Sequence, residues 1–119
     1  MEIKEFNGEG YMPLTSFGGW CVAIANYAPH LRPENLCKME RHLETDEVFI
    51  LLQGEACLYI GADKKQYKME PGKIYIVKCG EWHCISMTGN SKVAIIENNG
   101  TGPDNSEYQY YKTGEITNV

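Results

Sequence analysis

Two imidazoles and one carboxylate stand at the ends of predicted strands in this 119-residue chain. His42 ends one predicted strand, Glu47 begins the next, and His83 follows a glycine-containing turn. If these strands pair antiparallel, the three side chains converge inside a barrel or sandwich. Two imidazoles and one carboxylate are the ligand set of an open transition-metal site, and they suit Fe(II), Mn, Ni, Co or Zn better than Cu(I). The residues therefore indicate a site for a divalent transition metal.

The elements that must position these side chains are short strands separated by turn residues. Short strands at regular intervals, separated by turn residues, predict an all-β sandwich or barrel. The only helical pattern, at 33–39, is long enough for one turn at most. Strands are predicted at 20–27, 36–42, 47–52, 56–60, 66–69, 74–77, 83–87 and 92–96, and 107–112 is either a last strand or an ordered tail.

Length and charge restrict the class of protein. A chain of 119 residues predicts a single domain over 1–119, with a barrel core at about 20–97 and a C-terminal loop and tail at 98–119. With 11 basic and 16 acidic residues the net charge is −5, which argues against a nucleic-acid partner because phosphate binding needs clustered positive charge. The apolar run 48–52 is far too short to span a bilayer, so no membrane contact is expected.

The cysteines and the N-terminus predict the compartment. Five cysteines are an odd number and form no CxxC pair, which argues against a disulfide framework. The first six residues show no basic segment followed by an apolar run, so no secretory signal is expected. These features favour a cytoplasmic protein with reduced thiols.

The strand at 47–52 predicts a further contact surface. Val48, Ile50 and Leu52 alternate with Phe49 and Leu51, so that both faces of this strand are apolar. A barrel strand with one face in water should alternate apolar with polar residues. A second layer or a second copy of the chain would cover the outer face, and we expect a homodimer.

The spacing around the first imidazole matches a known signature in part. That signature has two histidines one residue apart, then a glutamate, then a glycine after six more residues. Glu40 occupies the first histidine's place, His42 the second, Glu47 the glutamate and Gly54 the glycine. The chain here resembles the first motif of the cupin superfamily.

The second cupin motif is matched with two departures. Gly72, Gly80 and His83 occupy its glycine and histidine places. Lys78 stands where the motif has proline, and Met87 stands where it has asparagine. The resemblance covers about half of the chain and implies a double-stranded β-helix, or jelly-roll cupin barrel, similar to small single-domain bacterial cupins of mostly unassigned activity.

The resemblance also implies a metal centre, which in cupins is typically three histidines and one glutamate. This chain offers His42, His83 and Glu47, with Glu40 at a histidine's place and on the same strand face as His42. Glu40 is then a fourth ligand, a group that orients a histidine, or a catalytic general base. In the alternative, the histidines are hydrogen-bonded inside a pocket without metal.

Strand alternation predicts the residues of the substrate pocket. Phe49 and Leu51 share the face of Glu47, and the second histidine's strand contributes two more inward side chains. A mainly apolar chamber with polar groups at one end is the usual form of a small-ligand site. His30, in a proline-flanked loop, is predicted to be a loop residue without a role. The predicted pocket consists of Phe49, Leu51, Tyr75, Trp82, Ile85 and Met87.

Together these features predict a small metal-binding protein that binds a small molecule. The first hypothesis is a metal-dependent enzyme acting on a small polar metabolite, such as a sugar or a keto acid. The alternatives are a non-catalytic small-molecule binder and a metal-free module. The regulator version of the binder is less favoured, because the sequence predicts a single domain and no effector domain beside it.

Overall fold

The computed structural model describes residues 1–115, in which ten strands form two antiparallel five-stranded sheets. The strands are β1 (Gly10–Phe17), β2 (Trp20–Asn26), β3 (Lys38–His42), β4 (Glu47–Gln53), β5 (Ala56–Ile60), β6 (Lys65–Lys68), β7 (Tyr75–Val77), β8 (His83–Met87), β9 (Lys92–Asn98) and β10 (Ser106–Tyr110), with short 3-10 helices at Pro29–Leu31, Pro33–Asn35 and Pro103–Asn105. The first sheet has the order β1-β2-β9-β4-β7 and the second β10-β3-β8-β5-β6. The all-β jelly-roll prediction is confirmed. Within this part of the chain, no helix is long and apolar enough to cross a membrane.

The strands β2 to β9 agree with the predicted strands to within two residues at their ends. The segment predicted as a last strand or tail forms β10, but β1 was not predicted. It is an edge strand with a register shift between Pro13 and Thr15, and its exposure does not alternate. Proline is tolerated at edges and bulges, so the sequence there lacks the usual strand pattern. The two sheets therefore extend beyond the predicted core at 20–97.

The inward faces of the two sheets fill one end of the barrel with apolar side chains. Leu51, Leu58, Met87 and Val93 are at most 3% exposed and belong to one continuous cluster. These four side chains do not line the cavity described below. The polar site residues lie toward the other end, where the packing opens into a cavity.

The outer faces of the two sheets differ. On the second sheet Met39 and Tyr59 are fully buried, and Trp82 and Tyr111 pack against them. The backbone N–H of Tyr111 donates to the carbonyl oxygen of Cys37 at 2.9 Å, which holds the segment after β10 on this sheet. The predicted tail thus packs here as far as it is described, and 116–119 lie outside the described residues.

On the first sheet the outer face carries apolar residues that remain accessible. Leu52, Ile74 and Ile76 are 50%, 64% and 54% exposed. Val48 pairs with Ile76 across β4 and β7 and is itself half-buried. The apolar outer face predicted from 47–52 is therefore present.

Gly54, the glycine of the first motif, occupies a position where any side chain would be strained. Its φ is +75°, and a Cβ placed on it would lie 2.5 Å from the Cα of Ser91. Gly72 has a similar φ of +84° but open space around it. We expect Gly54→Ala to destabilise the fold by roughly 3 kcal/mol or more, because backbone strain and a backbone clash add.

The matched control is Gly72→Ala, which meets only the conformational strain and should cost about 1 to 2 kcal/mol. Urea unfolding of both variants measures the difference. Equal losses at the two positions would contradict the close approach of β4 to the turn before β9.

Candidate metal centre

Four side chains from three strands meet at the open end of the barrel. Glu40 and His42 lie on β3, Glu47 begins β4 and His83 begins β8, and one potential ligand atom of each lies within 4.8 Å of the others. Glu40 and His83 are direct partners across β3 and β8, whereas Glu47 belongs to the opposite sheet. The structure thus brings together all four residues that the sequence proposed as metal ligands.

Glu47 lies at the centre of this cluster. Its Oε1 accepts hydrogen bonds from Nε2 of His42 at 3.1 Å and from Nε2 of His83 at 2.8 Å. Burial alone would raise the pKa of Glu47, but the hydrogen bonds and positive charges of the two imidazoles outweigh it and lower the pKa to about 2. Glu47 is therefore an anion at neutral pH, although it is only 6% exposed.

The outer nitrogen of each imidazole has a partner that sets the orientation of the ring. Nδ1 of His83 donates to the carbonyl oxygen of Glu81 at 3.0 Å, and Nδ1 of His42 contacts the hydroxyl of Ser106 at 2.7 Å. Both Nε2 atoms therefore point at Glu47. Metal-bound histidines are oriented in the same way, because one ring nitrogen binds the ion and the surrounding protein holds the other by a hydrogen bond.

The protonation of the imidazoles shows how a cation would fit. Both nitrogens of His83 face oxygen atoms, an arrangement that favours the doubly protonated ring. Burial lowers the pKa of His42 and of His83, but the contacts with Glu47 dominate and raise both. A metal ion would take the place of these protons, because it needs neutral imidazoles and an ionised carboxylate. The donor set of two imidazoles and two carboxylates fits a divalent transition metal.

A third carboxylate adjoins the cluster. Glu97 on β9 is the direct cross-strand partner of Glu47, and its Oε2 lies 3.8 Å from Nε2 of His42. The hydroxyl of Tyr11 donates to its Oε1 at 3.1 Å. Burial and the negative charge of Glu47 raise the pKa of Glu97 to about 7.

Sequence reasoning missed Glu97, although a signal was present. Val93 and Ile95 are inward on β9, and continuing the alternation by two residues places Glu97 on the same face. The residue belongs to neither motif, so the motifs did not predict it.

A cavity of about 450 Å³ opens beside the cluster. Its wall includes the four clustered residues, Glu97 and Tyr11, and apolar side chains contribute much of the remaining surface. Of the predicted pocket residues, Phe49 and Ile85 line it. The other apolar lining residues are Ala25, Leu31, Leu36 and Ile95.

Four predicted pocket residues lie elsewhere. Leu51 and Met87 have the predicted inward direction but belong to the solid core at the other end of the barrel. Tyr75 packs against that core, and its hydroxyl accepts from the N–H of Glu70 at 2.8 Å. Trp82 packs against Met39 and Tyr59 on the outer face of the second sheet, with the Arg41 guanidinium 4.6 Å from its ring centre. Alternation defines the side of a strand but not the depth along the barrel axis.

The loop between β2 and β3 forms one wall of the cavity. His30, Leu31, Asn35 and Leu36 line it, so His30 lies nearer to the site than predicted. The amide of Asn35 donates to the carbonyl oxygen of Pro29 at 2.8 Å and braces the two short 3-10 helices against each other. A local pattern of prolines could not indicate that this loop folds over the barrel mouth.

The comparison with protein families agrees with this fold and site. Residues 30–97 match the family described as the cupin domain. The match spans more than half of the chain, and the chain belongs to the cupin family. No curated protein matches it significantly.

Solved structures share the fold at low sequence identity. A cupin superfamily protein from Desulfitobacterium hafniense is 21% identical, with a TM-score of 0.56 over 81% of each chain. A cupin-2 domain protein from Shewanella frigidimarina is 20% identical, with a TM-score of 0.58 over 79% of this chain and 85% of that one. Pac13, a nucleoside dehydratase that has also been solved from Streptomyces with uridine, is 8% identical, with a TM-score of 0.67 over 95% and 90%. At these identities the likeness shows the fold alone.

The site predicts an unusual pH dependence of the metal-free protein. Raised pKa values mean that folded His42, His83 and Glu97 hold protons more tightly than the unfolded chain does. The unfolded pKa is 6.5 for the histidines and 4.5 for the glutamate. Each group stabilises the folded state fully below its unfolded pKa, and this stabilisation is lost as the pH rises through its folded pKa. Glu47 acts oppositely, but only as pH falls from 4.5 toward about 2.

We therefore expect the melting temperature of chelator-treated protein to fall by roughly 5 °C or more between about pH 5 and pH 8. Calorimetry at several pH values measures it. His83→Gln should flatten this slope, whereas the same change at His30, outside the cluster, should leave it intact. A melting temperature that rises over this range would contradict the assignment.

Proposed function

We propose that this protein binds a divalent transition metal through Glu40, His42, Glu47 and His83 and acts as an enzyme on a small neutral molecule in the adjoining cavity. The convergence of these four ligand atoms within 4.8 Å of one another carries the proposal. When bound, such an ion polarises a carbonyl group or activates water. The protein's own part is to orient the ligands, exclude water and move protons.

Glu40 is the member of the cluster best placed to exchange a proton with a ligand. Its side chain is 33% exposed, whereas those of His42, Glu47 and His83 are at most 9% exposed. Its Oε1 lies 3.9 Å from Nε2 of His42 and 3.8 Å from Nε2 of His83, within the range of a shared ion. Glu40 therefore combines a ligand position with access to the cavity, which supports its predicted catalytic role.

The charge of the cavity favours neutral ligands. Glu40, Glu47 and Glu97 line it, against one lysine of the described lining, Lys38, whose amine lies 4.9 Å from the centre of the Tyr108 ring. Among the described lining residues there is no arginine. An anionic keto acid would face these carboxylates, so a sugar, nucleoside or other uncharged hydroxyl or carbonyl compound fits better. That Pac13 has been solved with uridine, a neutral compound, supports this choice.

One observation favours the metal-free alternative. Glu47 already accepts hydrogen bonds from both imidazoles, so the cluster is largely satisfied by protons alone. In that case the cavity binds a small molecule without metal chemistry. The amount of metal bound to the protein separates the two possibilities.

We expect protein purified without chelator to contain about one divalent ion per chain by elemental analysis. His83→Gln should weaken the binding of added metal by about 100-fold, because it removes a ligand from the centre of the site. His30→Gln is the matched control, since it changes the third histidine outside the cluster, and it should bind as the unchanged protein does. Calorimetric titration with Mn²⁺ and Zn²⁺ gives the dissociation constants.

Absence of metal together with undisturbed binding in His83→Gln would refute the metal centre. With metal confirmed, turnover of neutral sugars, nucleosides and carbonyl compounds, with matched anionic derivatives for comparison, tests the enzyme. Binding without turnover would favour the non-catalytic binder.

We also propose a homodimer formed through the outer face of the first sheet. Leu52, Ile74 and Ile76 are at least half exposed on it, and half-buried Val48 and Ile50 lie beside them. The outer face of the second sheet is by contrast covered by the chain's own Tyr111 segment. A second copy would remove the exposed apolar face from water.

We expect Leu52→Glu to shift the dimer toward monomer by tenfold or more in dissociation constant, since a charge would enter an apolar contact (about 1.4 kcal/mol for each tenfold). Leu43→Glu is the matched control, because Leu43 is 46% exposed but lies in the loop after β3. Sedimentation equilibrium measures both variants. A monomeric unchanged protein at micromolar concentration would refute the dimer.

A further inference from the structure

Glu97 is the one acidic residue of the site that neither sequence motif contains. It lies on β9, opposite Glu47 of the neighbouring strand in the first sheet. Directly opposed residues on one sheet face have Cβ atoms about 4.5 to 5.5 Å apart, so these two carboxylates face the same space. That space also contains Nε2 of His42.

The two oxygens of Glu97 differ sharply in their surroundings. Oε1 accepts a hydrogen bond from the hydroxyl of Tyr11 at 3.1 Å. Oε2 is buried and receives no hydrogen bond from an N–H or O–H group, in a side chain that is only 10% exposed. A buried carboxylate oxygen in this position needs compensation, either by a proton shared with the neighbouring Glu47 or by a bound ion.

The distance between Glu97 and His42 matches that between two ligands of one ion. Two atoms that each bind an ion at 2.0 to 2.2 Å lie no more than about 4.4 Å apart. Oε2 of Glu97 lies 3.8 Å from Nε2 of His42, and Oε1 of Glu40 lies 3.9 Å from the same atom. Glu97 is thus as close to His42 as Glu40 is, although it is not one of the four residues whose ligand atoms all lie within 4.8 Å of one another.

We propose that Glu97 is a fifth ligand of the metal centre, supplied by β9. This proposal rests on the metal centre put forward above. It makes the site one of two imidazoles and three carboxylates.

The fifth ligand has a consequence for the choice of metal. Carboxylate-rich sites suit Mn²⁺ and similar hard ions, which take six ligands, whereas Zn²⁺ is satisfied by four. The four residues Glu40, His42, Glu47 and His83 can complete a zinc site by themselves. Loss of Glu97 should therefore weaken the binding of Mn²⁺ more than that of Zn²⁺.

The test measures metal affinity in chelator-treated protein at about pH 7.5 for the unchanged chain and three variants. Calorimetry gives the dissociation constants for Mn²⁺ and Zn²⁺, and the electron paramagnetic resonance signal of free Mn²⁺ gives an independent count of unbound ion. We expect Glu97→Gln to weaken Mn²⁺ binding by about tenfold or more and Zn²⁺ binding by less than about threefold.

Two further variants separate ligation from charge and from packing. Glu97→Asp keeps the charge but withdraws the carboxylate by one methylene, so it should also lose Mn²⁺ affinity by about tenfold. Tyr11→Phe removes the hydroxyl on the other oxygen and leaves the ligand in place, so it should change affinity by less than about threefold. Melting temperatures of the metal-free variants check that each is folded.

The outcomes distinguish the two proposals. If the unchanged protein binds neither ion, the metal centre fails and the role of Glu97 fails with it. If the unchanged protein binds Mn²⁺ and Glu97→Gln binds it equally well, only the fifth ligand is refuted. Full affinity in Glu97→Asp would show that charge alone acts, and would likewise refute ligation.

Discussion

A buried anion at the junction of the two sheets, Glu47, is the constraint on which the rest of this site depends. A carboxylate that is 6% exposed is stable only when positive charge and hydrogen bonds surround it. His42 and His83 provide both, from the opposite sheet. The outer nitrogens of these rings are held in turn by Ser106 and Glu81, so that one buried charge organises a network from β3, β4, β8 and β10.

The same constraint connects the site to the register of the first sheet. β4 pairs with β9 so that Glu47 faces Glu97, and two neighbouring buried carboxylates repel each other. The raised pKa of Glu97 expresses this repulsion together with burial. A divalent ion between the carboxylates and imidazoles would relieve it, which is why stability, protonation and metal binding are coupled here.

The division of the barrel into a solid end and an open end follows from where polar residues enter the strands. At the solid end, alternating Leu, Met and Val side chains interlock across the sheets. At the other end, charged side chains replace them, and the loop carrying Leu31 and Leu36 covers the space without filling it. The cavity is therefore apolar on its walls and charged at its base, as small-molecule sites commonly are.

Much of this arrangement could be predicted residue by residue. The spacing of Glu40, His42 and Glu47 around a turn, and of His83 after another, was sufficient to propose the cluster. Alternation placed Phe49 and Ile85 on the inner face, but the same rule also selected Leu51 and Met87, which lie at the packed end. Edge strand β1 carries Pro13 and a bulge, so its sequence has no strand pattern, and its Tyr11 was missed with it.

The sequence by itself determined strands β2 to β9, their inward faces and the local spacing of four potential ligands, because these depend on short-range alternation and turn chemistry. Only the tertiary structure decided which distant strands pair, how deep each inward residue lies and which loop closes the mouth. Those properties arise from contacts between residues far apart in the chain, such as Glu47 with Glu97 and Glu40 with His83. For that reason the motifs indicated the metal site, whereas the third carboxylate and the shape of the cavity became visible only in the folded protein.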